Sequence, residues 1–236
     1  MEAGKELQTE VWGCGVDIDA SDLELPKALV MQKMSKLVDS SGAKPGEIRD
    51  SIDGAVLGGM DKPFEAVVFS FDKVWTVTTK EDKKFVRIEP VTPANANDPW
   101  EFDEAGKTYL RSQYIRFYCL RAGETPDIPI VLAMGRTSFN AGKRLLTVFS
   151  RMKMQGLVSA ARVVEFKTVK QEKDGKVYYV LAFEVGRETT PAELAAARGW
   201  YQNYTALKHR IKVHEGEEEA PVVSSKPKAD EDDILF

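Results

Sequence analysis

Phe64-Glu65-Ala66-Val67-Val68-Phe69-Ser70-Phe71 and, one residue later, Lys73-Val74-Trp75-Thr76-Val77-Thr78 are the runs from which the fold is read. Both are rich in β-branched and aromatic residues, the side chains that suit a pleated, half-buried surface, so both read as strands. Lys83-Lys84-Phe85-Val86-Arg87-Ile88 follows the polar turn Lys80-Glu81-Asp82 and extends them into a hairpin or meander. Beyond it, a connection with Pro90, Pro93, Asn95, Asn97 and Pro99 carries Trp100 and Phe102 and is long enough to be a functional loop.

Further along, residues 109–121 and 129–134 read as strands. A helix fits residues 139–154, with Thr137 or Ser138 as its cap. Leu145, Val148, Phe149 and Met152 form its apolar stripe, and Lys143, Arg144, Arg151 and Lys153 surround it. Two more strands, 161–168 and 177–185, join through Lys173-Asp174-Gly175-Lys176, an Asp-Gly hairpin signal. A helix inserted between the third and fourth core strands is the pattern of a five-stranded antiparallel Greek-key barrel, the oligonucleotide-binding (OB) fold. The fold expected is mainly β with flanking helices, an elaborated OB-fold-like barrel.

Toward the N-terminus, alternation around Val11, Trp12, Cys14, Val16 and Ile18 suggests a short strand. Ser21 or Asp22 can cap a following helix with Pro26 in its first turn and Val30, Met34, Leu37 and Val38 at helical spacing, ending at Ser40-Ser41-Gly42. Residues 44–62 read as irregular. Near the C-terminus, Thr190-Pro191-Ala192-Glu193 combines a capping box with proline in the first turn and opens a last helix. Residues 1–213 therefore make one domain with N- and C-terminal helices, and 214–236 a disordered, acidic interaction tail.

Composition narrows the functions. The chain has 236 residues, 43% hydrophobic and 30% charged, enough for one substantial core. It lacks any apolar run long enough to span a membrane or serve as a secretory signal. Cys14 and Cys119 make no disulfide framework and sit in no metal-ligand spacing with His209 or His214. A reducing cytoplasm fits, and neither a cofactor nor a metal is called for. From Glu215 onward eight carboxylates face only Lys226 and Lys228, so this segment carries −6 and, with −4 overall, residues 1–214 carry +2. A mildly basic body and a strongly acidic tail suit a protein that binds a polyanion.

The tail ends Asp230-Glu231-Asp232-Asp233-Ile234-Leu235-Phe236. So acidic a segment does not bury enough apolar surface to order itself, and its apolar end makes sense if a partner supplies a pocket for the ring and cations for the carboxylates. This ending resembles the acidic tip of bacterial single-stranded DNA-binding proteins and the Phe-terminated tails of phage-encoded proteins of that function, with Leu235 where the bacterial pattern has proline. The resemblance implies a protein that coats single strands without sequence preference in replication, recombination and repair. It also implies recruitment of replication and repair proteins through the tail. If the chain is phage-encoded, the cytoplasm is the host's.

Candidate contacts come from alternation. In Tyr114-Ile115-Arg116-Phe117-Tyr118-Cys119-Leu120-Arg121, Ile115, Phe117 and Cys119 share a core face, while Tyr114, Arg116 and Tyr118 share the other. Lys73 with Trp75, and Phe85 with Arg87, repeat the pairing of a cation with an aromatic. Paired in one sheet, these strands would offer a stacking platform worth about 1–3 kcal/mol per base, with Lys73, Arg87, Arg116 and Arg121 on phosphates. Catalysis has no firm carrier: Gly135 to Arg144 departs from a phosphate-binding loop, with six residues between its glycines and Arg144 in place of the magnesium-holding hydroxyl. The alternative to DNA binding is a non-catalytic scaffold or virion component with a solubilising tail.

Overall fold

The computed structural model describes residues 24–35, 38, 42–123, 128–207 and 212–213. The strand expected near Val11–Ile18 and the whole tail from residue 214 lie outside them. The two runs that open the strand-rich region are one strand, β5 (Phe64–Thr79), which is unbroken because Asp72 between them continues the ladder. To keep the strands in chain order, the shorter ones before it are β1 (Glu24–Leu25), β2 (Lys27–Val30), β3 (Ile48–Asp50) and β4 (Val56–Gly58). After it come β6 (Phe85–Pro90), β7 (Glu101–Glu104), β8 (Lys107–Arg121) and β9 (Ile130–Gly135), then helix α1 (Phe139–Met154). The chain continues with β10 (Arg162–Lys173), β11 (Lys176–Glu188), helix α2 (Pro191–Leu207) and β12 (Lys212–Val213).

β5 and β8 pair antiparallel from Ala66↔Arg121 to Thr79↔Tyr109, with one bulge at Phe69. Each is too long for one set of neighbours. At one end β5 pairs with β10 and β8 with β9; at the other β5 pairs with β6 and β8 with β7. The ribbon thus belongs to a core sheet at one end and to a four-stranded arm at the other. Through the core the order is β11-β10-β5-β8-β9-β2-β3-β4, an open sheet, with β1 and β12 paired separately in parallel. Side chains tie its two ends together. The Gln32 amide donates to the Tyr179 carbonyl (2.8 Å) and accepts from its N–H (2.9 Å), and the buried Thr168 hydroxyl donates to the Gly46 carbonyl.

Two apolar layers result. On the concave side Ile48, Phe64, Ile115, Phe117, Leu132 and Phe166 pack with Leu145, Phe149 and Met152 of α1. On the outer side Val67, Phe69, Tyr118, Leu120 and Val163 pack under Ala197 and Tyr204 of α2 and beside Leu25. Phe117 stands among Phe71, Phe149 and Phe166, at 6.3–6.4 Å between ring centroids, which is why Phe117 is fully enclosed. The hairpin turn at Asp174-Gly175 has both residues at positive φ (53° and 71°), as the sequence signal requires.

Several expectations are corrected. The N-terminal helix is absent over residues 24–30, which form β1 and β2: Leu25 is pushed to extended backbone by Pro26, and Lys27 and Ala28 pair with Val131 and Leu132 of β9. Met34, counted in its apolar stripe, is 79% exposed. Residues 44–62 hold β3 and β4, made ordered by pairing of β3 with β2 and of β4 with β3 rather than by their own propensity. Residues Glu101–Glu104 of the proline-rich connection form β7. α1 has the bounds its stripe predicts, but Ser138 does not cap it; the Ser138 hydroxyl accepts from the Leu181 N–H (2.9 Å) and so anchors β11. Among the described residues no helix is long and apolar enough to cross a membrane.

The capping box of α2 is built as read. Thr190 N–H donates to Glu193 Oε2 (2.7 Å) and Glu193 N–H to Thr190 Oγ1 (3.2 Å). Hydrogen bonds from Arg187, then from the backbone N–H groups of Thr190 and Gly123, outweigh desolvation and hold the Glu193 carboxyl down at about 2, against an ordinary 4.5. A carboxyl depressed in the folded state stabilises above its unfolded pKa and loses that contribution as pH falls. Glu193→Gln should therefore melt below wild type at pH 7, with the gap closing between about pH 4.5 and 2. Thermal melts followed by circular dichroism check this, and a gap unchanged across that window would contradict it.

Candidate nucleic-acid interface

Directly paired residues of antiparallel strands point to the same side, so the register decides which candidates meet. Tyr114, Arg116 and Tyr118 pair with Val74, Asp72 and Ser70 and share the outer face; Ile115, Phe117 and Cys119 line the core as alternation requires. Lys73 and Trp75 pair with Ile115 and Gln113, which puts them on the concave side. Arg87 pairs with Val77 on that side too, whereas Phe85 pairs with Thr78 and faces outward, because Val86 is an extra residue that breaks the alternation. Arg121 pairs with Ala66 at the core end of the concave side, half-buried. The expected single platform is thereby corrected: its residues are divided between two faces of one ribbon.

Most are also occupied. Trp75 is 6% exposed, its indole N–H donating to the Asn95 carbonyl (3.1 Å) of the connection that folds over the arm. The Arg111 guanidinium lies 5.6 Å from the Trp75 ring and 4.1 Å from that of Phe102, and Arg87 lies 5.9 Å from Phe102 on its own side. Trp75, Arg111, Phe102 and Arg87 therefore form one cation–π ladder, each contact worth about 0.5–1 kcal/mol at a surface. Its cations are neutralised: Arg111 by Asp98 (2.6 Å), Arg87 by Glu89 (2.7 Å) and Glu104 (2.8 Å).

The outer row is a half-buried latch. Arg116 makes a two-pronged pair with Asp72 (2.8 and 2.6 Å), and the Tyr118 hydroxyl donates to the same carboxylate (3.1 Å). Burial opposes the charge on Arg116, but the Asp72 bonds prevail and raise its pKa above the ordinary value. Tyr118 is 2% exposed, 4.3 Å from the Tyr204 ring of α2, and burial pushes its hydroxyl pKa up. Tyr114 lies on Gly135, where a β-carbon would sit 2.2 Å from the ring, so only glycine permits that approach. Of the eight candidates, Lys73 and Phe85 (49%) remain exposed.

The loop that approximates a phosphate-binding loop is packed as well. Gly135 sits under Tyr114, and a β-carbon at Gly142 would lie 3.1 Å from Ile115 and Met134. The glycines serve close packing. Among the described residues no group of three His, Cys, Asp or Glu side chains is placed to hold a metal ion.

What residue-by-residue motif reading missed is a run defined by what it lacks. Residues 128–164 contain no carboxylate, the longest such run in the chain, where the overall frequency of Asp and Glu would place about six. Counting acids along the sequence would have found it. Arg136, Lys143, Arg144, Arg151 and Lys153 within it are exposed, and none has a carboxylate partner among the described residues.

The latch makes a direct prediction. Removing one partner of a buried ion pair costs about 3–5 kcal/mol. Asp72 keeps part of its side chain in water, so Asp72→Asn should cost about 2–3 kcal/mol by urea unfolding, weakening α2 docking through Arg116 and Tyr118. A loss under about 0.5 kcal/mol, the range of ordinary surface substitutions, would show the cluster to be solvated.

Residues 8–212 match the family described as Pam3 phage gp34-like protein. No curated protein and no solved structure matches. The match covers most of the chain, and the chain belongs to the Pam3 phage gp34-like protein family.

Proposed function

We propose that this chain is a sequence-independent single-stranded DNA-binding protein. In this reading it coats single strands during phage DNA replication, recombination and repair in the host cytoplasm, and recruits partner proteins through Asp230–Phe236. The observation that carries the reading is the arrangement of the core strands. Numbered along the chain, β5, β8, β9 and β10 lie in the spatial order 4-1-2-3 of a Greek key, β11 joins outside β10, and α1 occupies the crossover between the third and fourth. This supports an OB-fold-like core, here elaborated by the arm and by β2 to β4. The division of charge supports it too, since a −6 tail leaves a +2 body. The mechanism is binding without turnover.

A second reading, a non-catalytic scaffold or virion component, draws on the occupation of the platform residues in structural pairs. The two differ in one assay. A gel shift of the full chain with single- and double-stranded oligonucleotides at 50 and 200 mM salt should retard the single strand and do so less at high salt. No retardation at either salt would sink the DNA reading and leave the scaffold one.

A further inference from the structure

Resting on the reading that the chain binds single-stranded DNA, we propose that the phosphates run along the solvent face of α1, from Arg136 to Lys153. Helical geometry makes one track of it. Ala141, Leu145, Phe149 and Met152 are buried in the concave core. On the opposite side Asn140, Lys143, Arg144, Thr147, Ser150 and Arg151 are exposed, and Lys153 borders them. Lys143, Thr147 and Arg151 are successive i, i+4 neighbours, and at 1.5 Å per residue the cations at 143 and 151 lie about 12 Å apart along the axis.

Helix stability does not explain this composition. The helix dipole favours acids in the first turn, and α1 has none there. A solvated helix face ordinarily interleaves glutamate with lysine at i, i+4; here the intervening residues are Asn, Thr and Ser, which hydrogen-bond phosphate oxygens. Arg136, at the junction of β9 and α1, is held at φ +47°, a left-handed backbone that a non-glycine residue adopts rarely, with its side chain exposed. An acidic protein partner is less well matched, because a protein interface is anchored by central apolar residues, and the middle of this track has none. Apolar residues gather only past its end, at Met154 (88% exposed), Leu157 and Val158, where unstacked bases of a single strand find an apolar surface.

The test is fluorescence anisotropy of the full chain with a labelled oligo-dT across a salt series. Lys143→Gln/Arg144→Gln/Arg151→Gln/Lys153→Gln is compared with wild type and with Lys170→Gln/Lys173→Gln/Lys176→Gln at the exposed tip of the β10–β11 hairpin. The helix variant should bind at least tenfold more weakly at 100 mM salt, and its slope of log K against log salt should fall by about 3, roughly 0.7 per lost phosphate contact. The hairpin variant should keep the wild-type slope. The half-variants Lys143→Gln/Arg144→Gln and Arg151→Gln/Lys153→Gln should each give about half the effect, and circular dichroism verifies their fold. Wild-type affinity and slope in the helix variant would overturn this inference while leaving DNA binding intact, as would a loss confined to the hairpin variant. No binding by wild type would overturn both readings. Loss of polyglutamate binding with the oligonucleotide unaffected would assign the face to an acidic protein and also overturn it.

Discussion

The constraint on which the structure depends is the single pairing of β5 with β8, held in one register from Ala66↔Arg121 to Thr79↔Tyr109. Because side chains alternate, each residue on this ribbon is assigned to one of two faces, and each face has its own cover. At the core end, α1 closes one side and α2 the other. In the arm, the proline-rich connection lies over Trp75, Arg111 and Gln113, which donate to the Asn95 carbonyl, the Asp98 carboxylate and the Ala96 carbonyl. Covered on both sides at its core end and on one side in the arm, the ribbon has little aromatic surface left to offer a ligand beyond Phe85.

Much of this was legible in the chain and part was not, for physical reasons. α1 was read to the residue because its stripe is strongly periodic, and the Asp-Gly turn and the Thr190–Glu193 box were read because each is a local chemical requirement. The alternation Tyr114/Arg116/Tyr118 against Ile115/Phe117/Cys119 was also correct, being local. What one sequence does not contain is register between strands. Lys73, Trp75 and Arg87 carry the same pattern as Tyr114, Arg116 and Tyr118, yet pairing places them on the other face, and the extra residue Val86 sends Phe85 back again. Over residues 24–30 the expected N-terminal helix gives way for a related reason: the spacing of Val30 and Met34 is helical, but pairing with β9 and β3 outweighs so weak a preference.

Charge divides the molecule in a way that burial alone does not. Between residues 73 and 111 the arm carries seven cations and seven carboxylates, and Lys80, Lys84, Arg87 and Arg111 are in ion pairs there. Cation–aromatic neighbours in such a region stabilise the arm. α1 contributes the reverse arrangement, cations with no carboxylate partner among the described residues, on a helix whose other face is packed in the core. A position so fixed is suited to presenting charge, since the rigid element holds the spacing and the exposed side chains remain free to pair.

The most direct measurement is lysine acetylation footprinting of the full chain with and without oligo-dT, read by peptide mass spectrometry. If α1 carries the phosphates, Lys143 and Lys153 lose reactivity when DNA is added, while Lys73, Lys83 and Lys107 on the β5–β8 ribbon and its arm keep theirs. Protection of the ribbon lysines with Lys143 and Lys153 unchanged would contradict it.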